Sequence, residues 1–257
     1  MKIQFTKYQA TGNDFVLIDN RNQEYAFTKE QIEKICDRRF GVGADGLMLI
    51  EKHPTLDFNL VYYNSDGSQS LCGNGSRAAV AMAATFGLLK NKTTFNAYDG
   101  PHEAELLNTG IVRLKMNPVT SVIKKGEDFF IHTGSPHHLQ FVPAVEKINV
   151  VDEGRKIRYS EAYKPTGTNV NFIQLLNNNT IFVRTYERGV ENETFSCGTG
   201  VTAAALAASF HGYTSPVHIK VKGGELDVAF QTGQAGTFHE IYLIGPAKMV
   251  FTGTLEL

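Results

Sequence analysis

Cys72-Gly73-Asn74-Gly75-Ser76-Arg77-Ala78-Ala79-Val80-Ala81-Met82-Ala83-Ala84 and Cys197-Gly198-Thr199-Gly200-Val201-Thr202-Ala203-Ala204-Ala205-Leu206-Ala207-Ala208 are the two stretches on which the reading of this chain turns. The second echoes the first at a constant offset of 125 residues, both from cysteine to cysteine and from Gly87 to Gly212, the glycines that close the two runs. Each cysteine follows a strand-like segment and a polar loop, Asn64-Ser65-Asp66-Gly67 in one half and Glu187-Arg188-Gly189 in the other. The Ala, Val, Met and Leu runs after them lack the polar face of a surface helix, so each predicts a helix wrapped by the strands of its own half. Two similar α+β domains follow, each a mostly antiparallel, barrel-like sheet around a central helix. The break falls at Asn117-Pro118, dividing residues 1–116 from 117–245.

Outside those runs the pattern is one of strands. Val, Ile, Phe and Tyr alternate with polar residues over Lys2 to Tyr8, Phe15 to Asp19 and Phe58 to Tyr63. Glu103 to Leu107 pairs with Ile111 to Met116 across Asn108-Thr109-Gly110, and Asn171 to Leu176 pairs with Ile181 to Tyr186 across three asparagines. A further hairpin turns at Gly223-Gly224. One surface helix is specified by a capping box of Thr28 and Gln31, a stripe of Ile32, Ile35, Cys36 and Phe40, and an exit at Gly41. Cys36 on that stripe is read as core packing.

Composition removes several classes of function. Lys and Arg number 25 against 26 Asp and Glu, a net charge of −1, which gives no electrostatic footprint for nucleic acid. No apolar stretch long enough to span a bilayer occurs, and the first residues do not read as an export signal, so the expectation is a cytoplasmic protein. Three cysteines, Cys36, Cys72 and Cys197, are the wrong arithmetic for a disulfide framework and lack the spacing of a zinc site.

At a helix N-terminus the first N–H groups have no intrahelical partner, and the macrodipole places about half a positive charge there. Glycines beside such a site let backbone donors approach a carboxylate, and the same field lowers the pKa of a thiol. Two such sites suit the inversion of a carbon bearing a proton, an amine and a carboxylate: one thiolate takes the α-proton while the other sulfur delivers one to the opposite face. No metal or pyridoxal phosphate is required. Other readings stand beside this one. Cys72 and Cys197 can form a disulfide, or serve as a redox switch in a ligand-sensing module, and Gly73-Asn74-Gly75 can cradle a phosphate, although it lacks the G-x-G-x-x-G spacing.

Seven motifs in order carry a resemblance that spans the chain: Thr11-Gly12-Asn13-Asp14-Phe15, Gly41-Val42-Gly43-Ala44-Asp45-Gly46, Asn64-Ser65-Asp66-Gly67-Ser68, Cys72 to Arg77, Ser135-Pro136-His137, Gly167-Thr168-Asn169-Val170-Asn171-Phe172, and Glu187-Arg188-Gly189 leading to Cys197-Gly198-Thr199-Gly200. By these it resembles the diaminopimelate epimerases, within the cofactor-independent racemases and epimerases that include proline racemase. The resemblance implies that residues 246–257 return to the first domain, that the substrate is diaminopimelate, and that the protein is a homodimer. It implies Cys72 and Cys197 as acid and base, His137 and Glu187 as their assistants, and Gly73, Asn74, Gly198 and Thr199 as backbone donors to the reacting carboxylate. Asn13, Asn64 and Asn169 then hold the substrate's amino and carboxylate groups, Glu187 also contacts substrate, and Arg188 pairs with a distal carboxylate. His138 is read as an ordinary strand residue. Ser135 stands where family members often carry Asn, Gly46 where some carry Gln, and the loop from Asn64 to Cys72 is a residue short. A racemase of another amino acid, such as proline or hydroxyproline, is the neighbouring alternative; it would not need the clamp of Asn64, Asn169 and Arg188.

Overall fold

The computed structural model describes residues 2–107 and 110–257, and the chain divides into two compact units, Met1–Leu114 with Gly245–Leu257, and Lys115–Ile244. The turn residues Asn108 and Thr109 of the hairpin anticipated above lie outside the described residues.

The first unit begins with β1 (Lys2–Ala10) and β2 (Asn13–Asp19), an antiparallel hairpin whose turn puts Thr11 and Gly12 at positive φ, 49° and 84°. Helix α1 (Lys29–Cys36) leads to β3 (Gly46–Glu51), β4 (Phe58–Asn64), helix α2 (Gly73–Thr85), β5 (Lys92–Ala97), β6 (Gly100–Leu106) and β7 (Ile111–Met116). β2 runs parallel to β3 and β4 to β5, while β3–β4, β5–β6 and β6–β7 are antiparallel. Helix α2 touches β1, β2, β3, β4 and β6, and Gly73 through Val80 are buried without a break. A helix buried on every side forms because the sheet encloses it, not because of its residues' propensities.

Helix α1 has the expected capping box, and Ile32, Ile35 and Cys36 are buried in the core with Ile3, Val16 and Leu47. Phe40, placed on the same stripe by its spacing, is instead 84% exposed. The helix stops at Cys36 because the Asp37 carboxylate accepts the amides of Arg39 and Phe40 and turns the chain away. The following loop folds under the helix end, where the amides of Val42 and Ala44 reach the carbonyls of Ile35 and Cys36. Gly41 permits that approach, since a Cβ there would sit 1.9 Å from the Lys34 carbonyl oxygen.

The second unit contains β8 (Val122–Lys125), β9 (Asp128–His132), β10 (Pro136–Phe141), helix α3 (Val150–Arg158), β11 (Asn169–Leu175), β12 (Thr180–Glu187), β13 (Asn192–Thr194), helix α4 (Gly198–Ala208), β14 (Val217–Val221), β15 (Gly224–Thr232) and β16 (Phe238–Pro246). β10 and β11 are parallel, as are β12 and β14; the β8–β9, β9–β10, β11–β12, β12–β13, β14–β15 and β15–β16 pairs are antiparallel. Asn178 and Asn179, in the turn between β11 and β12, both take positive φ, which asparagine tolerates. Helix α4 is buried over its whole length and touches β9, β10, β11, β12, β14 and β15. Helix α3 is an element the strand pattern did not announce. Its signals are local: an Asn149 cap, Asp152 and Glu153 in the first turn, and Arg155, Lys156 and Arg158 in the last.

The chain then returns. Strand β17 (Lys248–Glu256) pairs antiparallel with β1, from Lys2 opposite Glu256 to Gln9 opposite Lys248. No helix among the described residues is long and apolar enough to cross a membrane.

Candidate active site

Cys72 and Cys197 are the N-cap residues of α2 and α4, with nearly identical backbones: φ −126°, ψ 109° and φ −121°, ψ 110°. The sequence echo is therefore a structural one. Neither cysteine is in a disulfide, nor is the buried Cys36, whose thiol burial pushes up to about 12. The glycine three residues beyond each cysteine has a neighbour that a Cβ would strike: the Met48 methyl, 2.1 Å from Gly75, and Asn171 Oδ1, 2.4 Å from Gly200.

In the first unit, Cys72 Sγ accepts the Gly75 amide at 3.3 Å and lies 3.6 Å from Asn13 Oδ1. Asn13 Oδ1 accepts from Asn74 Nδ2 at 3.3 Å, while Asn13 Nδ2 donates to the Asp45 carboxylate. Asp45 is held by Arg38 at 2.7 Å, Arg38 binds Asp14 at 2.7 Å, and Asp14 pairs with the buried Lys7 at 2.7 Å. Burial pushes the Asp14 carboxyl upward, but hydrogen bonds from Arg38 and Lys7 and their charges outweigh it and leave it below the usual carboxylate range. These fixed charges orient the Asn13 amide so that its oxygen faces the thiol. Asn64 is held by its own loop: its Nδ2 donates to Ser68 O, Ser68 Oγ and Ser70 Oγ at 3.0–3.2 Å.

In the second unit a chain of polar atoms leads away from the sulfur. Cys197 Sγ lies 3.5 Å from Thr199 Oγ1, which lies 2.9 Å from His137 Nε2, and His137 Nδ1 lies 3.1 Å from Asn171 Nδ2. The Asn171 amide orientation is fixed, because Nδ2 also donates to the His138 carbonyl and Oδ1 accepts from Thr185 Oγ1. Nδ1 of His137 is then an acceptor and the ring proton sits on Nε2, donating to Thr199, whose own hydroxyl proton is left for Cys197. His137 is fully buried, and desolvation, helped by the charges of His132 and Arg188, pushes its pKa down to about 3. The imidazole is neutral.

Asn169 opens β11 directly opposite His137 in the parallel β10–β11 register. Its Nδ2 donates to Ser135 Oγ and the Pro136 carbonyl at 2.8 and 2.9 Å, and its Oδ1 accepts the Arg188 amide at 2.9 Å. Arg188 donates to the Thr166 carbonyl, and the half-buried Glu187 ends β12 opposite Asn192. Ser135 thus positions Asn169. A side chain at Gly46 has no room, since its Cβ would lie 2.4 Å from the Tyr62 ring. His138 is buried too, bonded to Tyr163 Oη at 2.8 Å and facing Asp128 at 3.2 Å.

Two contributors escaped the sequence reading, Asn171 and the hydroxyl of Thr133, which holds the Thr199 carbonyl at 2.8 Å. Asn171 left a trace: Asn169 and Asn171 are two apart on a strand, so they share a face, and two polar residues on the inner face of a closed sheet call for a purpose. Among the described residues no group of three or more His, Cys, Asp or Glu side chains is gathered as a metal site would require. Each helix start, with a thiol at the cap and the N–H groups of a first helical turn behind it, can receive a carboxylate and exchange a proton beside it.

A family model described as diaminopimelate epimerase matches residues 5–122 and 129–250. A diaminopimelate epimerase from Flavobacterium psychrophilum is 49% identical over 255 residues, which cover 97% of this chain and 98% of that protein. Among solved structures, a PhzF-family phenazine biosynthesis protein from Bacillus anthracis is similar with a TM-score of 0.77 at 13% identity, covering 100% of both chains. A hydroxyproline epimerase from Agrobacterium vitis is similar with a TM-score of 0.73 at 13% identity, covering 100% of this chain and 93% of that one. At that identity the structural likeness shows the fold alone.

Proposed function

The chain belongs to the diaminopimelate epimerase family, and from that premise we propose how it interconverts LL- and meso-diaminopimelate in lysine biosynthesis: by proton transfer between two thiols and one α-carbon. The observation that carries the reading is the matched pair of N-cap cysteines with near-identical backbone angles, each followed by Gly-x-Gly and a buried helix. One sulfur, as thiolate, removes the α-proton, and the pair of electrons from the broken C–H bond moves into the α-carboxylate, which becomes enediolate-like. The other sulfur, as thiol, gives its proton to the opposite face, and the electrons return to form the new C–H bond. Product leaves with the two sulfurs in exchanged protonation states.

The charge that builds on the carboxylate is met by the backbone N–H groups of Gly73, Asn74, Gly198 and Thr199, donors aimed before the reaction begins. Asn13 and Asn169, held by Asp45 and by Ser135, orient the amino and carboxylate groups together with Asn64. Arg188 pairs with the distal carboxylate, so a substrate without a second amino-acid end leaves it unused, while Glu187 contacts substrate and assists a thiol. His137 assists Cys197 through Thr199. The carboxylate is the electron sink, so this route calls for no cofactor. We place the enzyme in the cytoplasm, where free thiols persist, and as a homodimer, for which the exposed Met249, Val250 and Phe251 on β17 offer an apolar surface.

Proton NMR of LL-diaminopimelate in D₂O with reduced protein tests the chemistry. Wild type is expected to wash out the α-proton signal, and Cys72→Ser and Cys197→Ser each to lose that exchange. Undiminished exchange by either variant would overturn the two-thiol reading.

A further inference from the structure

The two helix starts match in the backbone angles of their capping cysteines but differ at their sixth position: Arg77 stands in the first where Thr202 stands in the second, 125 residues on. Both side chains reach back to the same place, the carbonyl of the residue after the cysteine. Arg77 Nη1 donates to Gly73 O at 3.4 Å, and Thr202 Oγ1 to Gly198 O at 2.9 Å. One contact carries a charge and the other does not.

Arg77 is the largest fully buried side chain of the described residues, 0% exposed. Its second contact is Thr11 Oγ1 at 3.3 Å, held in the turn where Thr11, though β-branched, sits at φ 49°. Its Nε has no partner, and no carboxylate among the described residues lies within ion-pair distance of it. A buried cation without a counter-charge is costly, and proteins rarely leave one standing. Burial pushes the guanidinium down to about 10, which leaves it charged at neutral pH, and the group whose charge acts in the other direction is Cys72.

The neighbouring charges are otherwise occupied. On the strands packed against α2, Lys7 pairs with Asp14 on β2, and Arg38 binds both Asp14 and Asp45. Lys2 pairs with Glu256, Asp19 with Arg21, Glu105 with Arg113 and His102 with Asp99. Glu51 on β3 accepts from Asn20 and Asn59. Burial raises Tyr8 on β1 and keeps it neutral, Tyr62 and Tyr63 lie on β4, and Glu103 points out from β6.

We propose that Arg77 is a positioning residue for the reaction: the buried counter-cation of a Cys72 thiolate, which makes the two thiols electrostatically unequal. Cys72 then rests as the base and Cys197, whose helix start carries Thr202 where the first carries Arg77, as the acid, a preference that outweighs the Thr199 hydroxyl 3.5 Å from the Cys197 sulfur. The Gly75 amide adds to the preference for thiolate, and Asn13 Oδ1 opposes it from 3.6 Å. The assignment of base and acid rests on the two-thiol reading above; the state of Cys72 does not, and it is measured without substrate.

Alkylation of Cys72 by iodoacetamide, followed across pH by peptide mass spectrometry on the reduced full chain, reads that state directly. In wild type the midpoint is expected below the value of about 8.5 of a free cysteine. Arg77→Met is expected to raise it by a unit or more, slowing alkylation near neutral pH about tenfold, and Arg77→Lys, which keeps the charge, to hold it near wild type. A wild-type midpoint at or above that of free cysteine overturns the proposal and needs no variant to fold. A midpoint unmoved in Arg77→Met, or moved equally in Arg77→Lys, overturns it as well. Failure of the two-thiol reading is a different result, α-proton exchange retained by Cys72→Ser.

Discussion

A buried imidazole whose acceptor nitrogen is already engaged has one proton to offer and no ready place to take another. His137 is in that position, with Asn171 on Nδ1 and Thr199 on Nε2, so its contribution to Cys197 passes through the Thr199 hydroxyl. Thr199→Val should lower kcat about tenfold with little change in KM, the worth of one hydrogen bond to a reacting group, and Thr199→Ser should restore most of it. Steady-state kinetics of the pair decides. Burial of His137 also makes stability depend on pH. The unfolded chain takes up a proton near pH ~6.5 while the folded chain refuses it until about 3. The unfolded state thus binds more protons in that window. The stabilisation is complete above the unfolded value and is lost as pH falls through the window, by about 2 kcal/mol between pH ~6.5 and ~5. Urea unfolding at several pH values should show that slope, and His137→Asn should flatten it. At this scale the sequence was legible where a motif named the residue and silent where a side chain acts through another. Cys72, Cys197 and Asn13 could be picked out from their motifs. The His137–Thr199 link could not, because it joins residues 62 apart through a hydroxyl.

The two central helices start alike, yet their surroundings make equal substitutions unequal. Gly75→Ala pushes a methyl toward the flexible end of Met48, which can swing aside, and a helical alanine gains about 1 kcal/mol over glycine, so a near-neutral change is expected. Gly200→Ala meets Asn171 Oδ1, an amide fixed by Thr185, His138 and His137. It should cost about 1–3 kcal/mol and disturb the polar chain to Cys197. Thermal melts of both variants test the contrast, and equal losses would count against it. The repeat was the most legible feature because it needs no propensity: two copies of one pattern declare one substructure twice. Helix α3 was missed since its caps and charges say helix while its short apolar set resembles a broken strand. Phe40 was misplaced because spacing cannot see Asp37 ending the helix four residues early. Gly154 shows the same limit, its missing Cβ demanded by Tyr186, which would lie 2.4 Å away.

For the molecule as a whole, the α+β class and the sheet-wrapped helices were readable from strand alternation and from two helices too apolar for a surface. The pairing order was not, because register depends on contacts distant in sequence. If the assembly is a homodimer through the apolar run on β17, Val250→Glu should shift sedimentation toward the monomer while leaving the thermal melt of the chain's core intact. An unchanged sedimentation coefficient would remove β17 from that role. The pairing of β1 with β17 also has a consequence for the order in which the protein is made. A ribosome delivers β1 first and its partner Lys248–Glu256 only after residues 115–244 have been synthesised. The contiguous second unit has all its strands before the first does, and during that interval β1 presents one unpaired edge, the kind of surface on which newly made chains associate wrongly. Chains ending at residue 244 and released from the ribosome should therefore resist protease across the later unit and yield across the earlier one, so that the start of the message waits on its end.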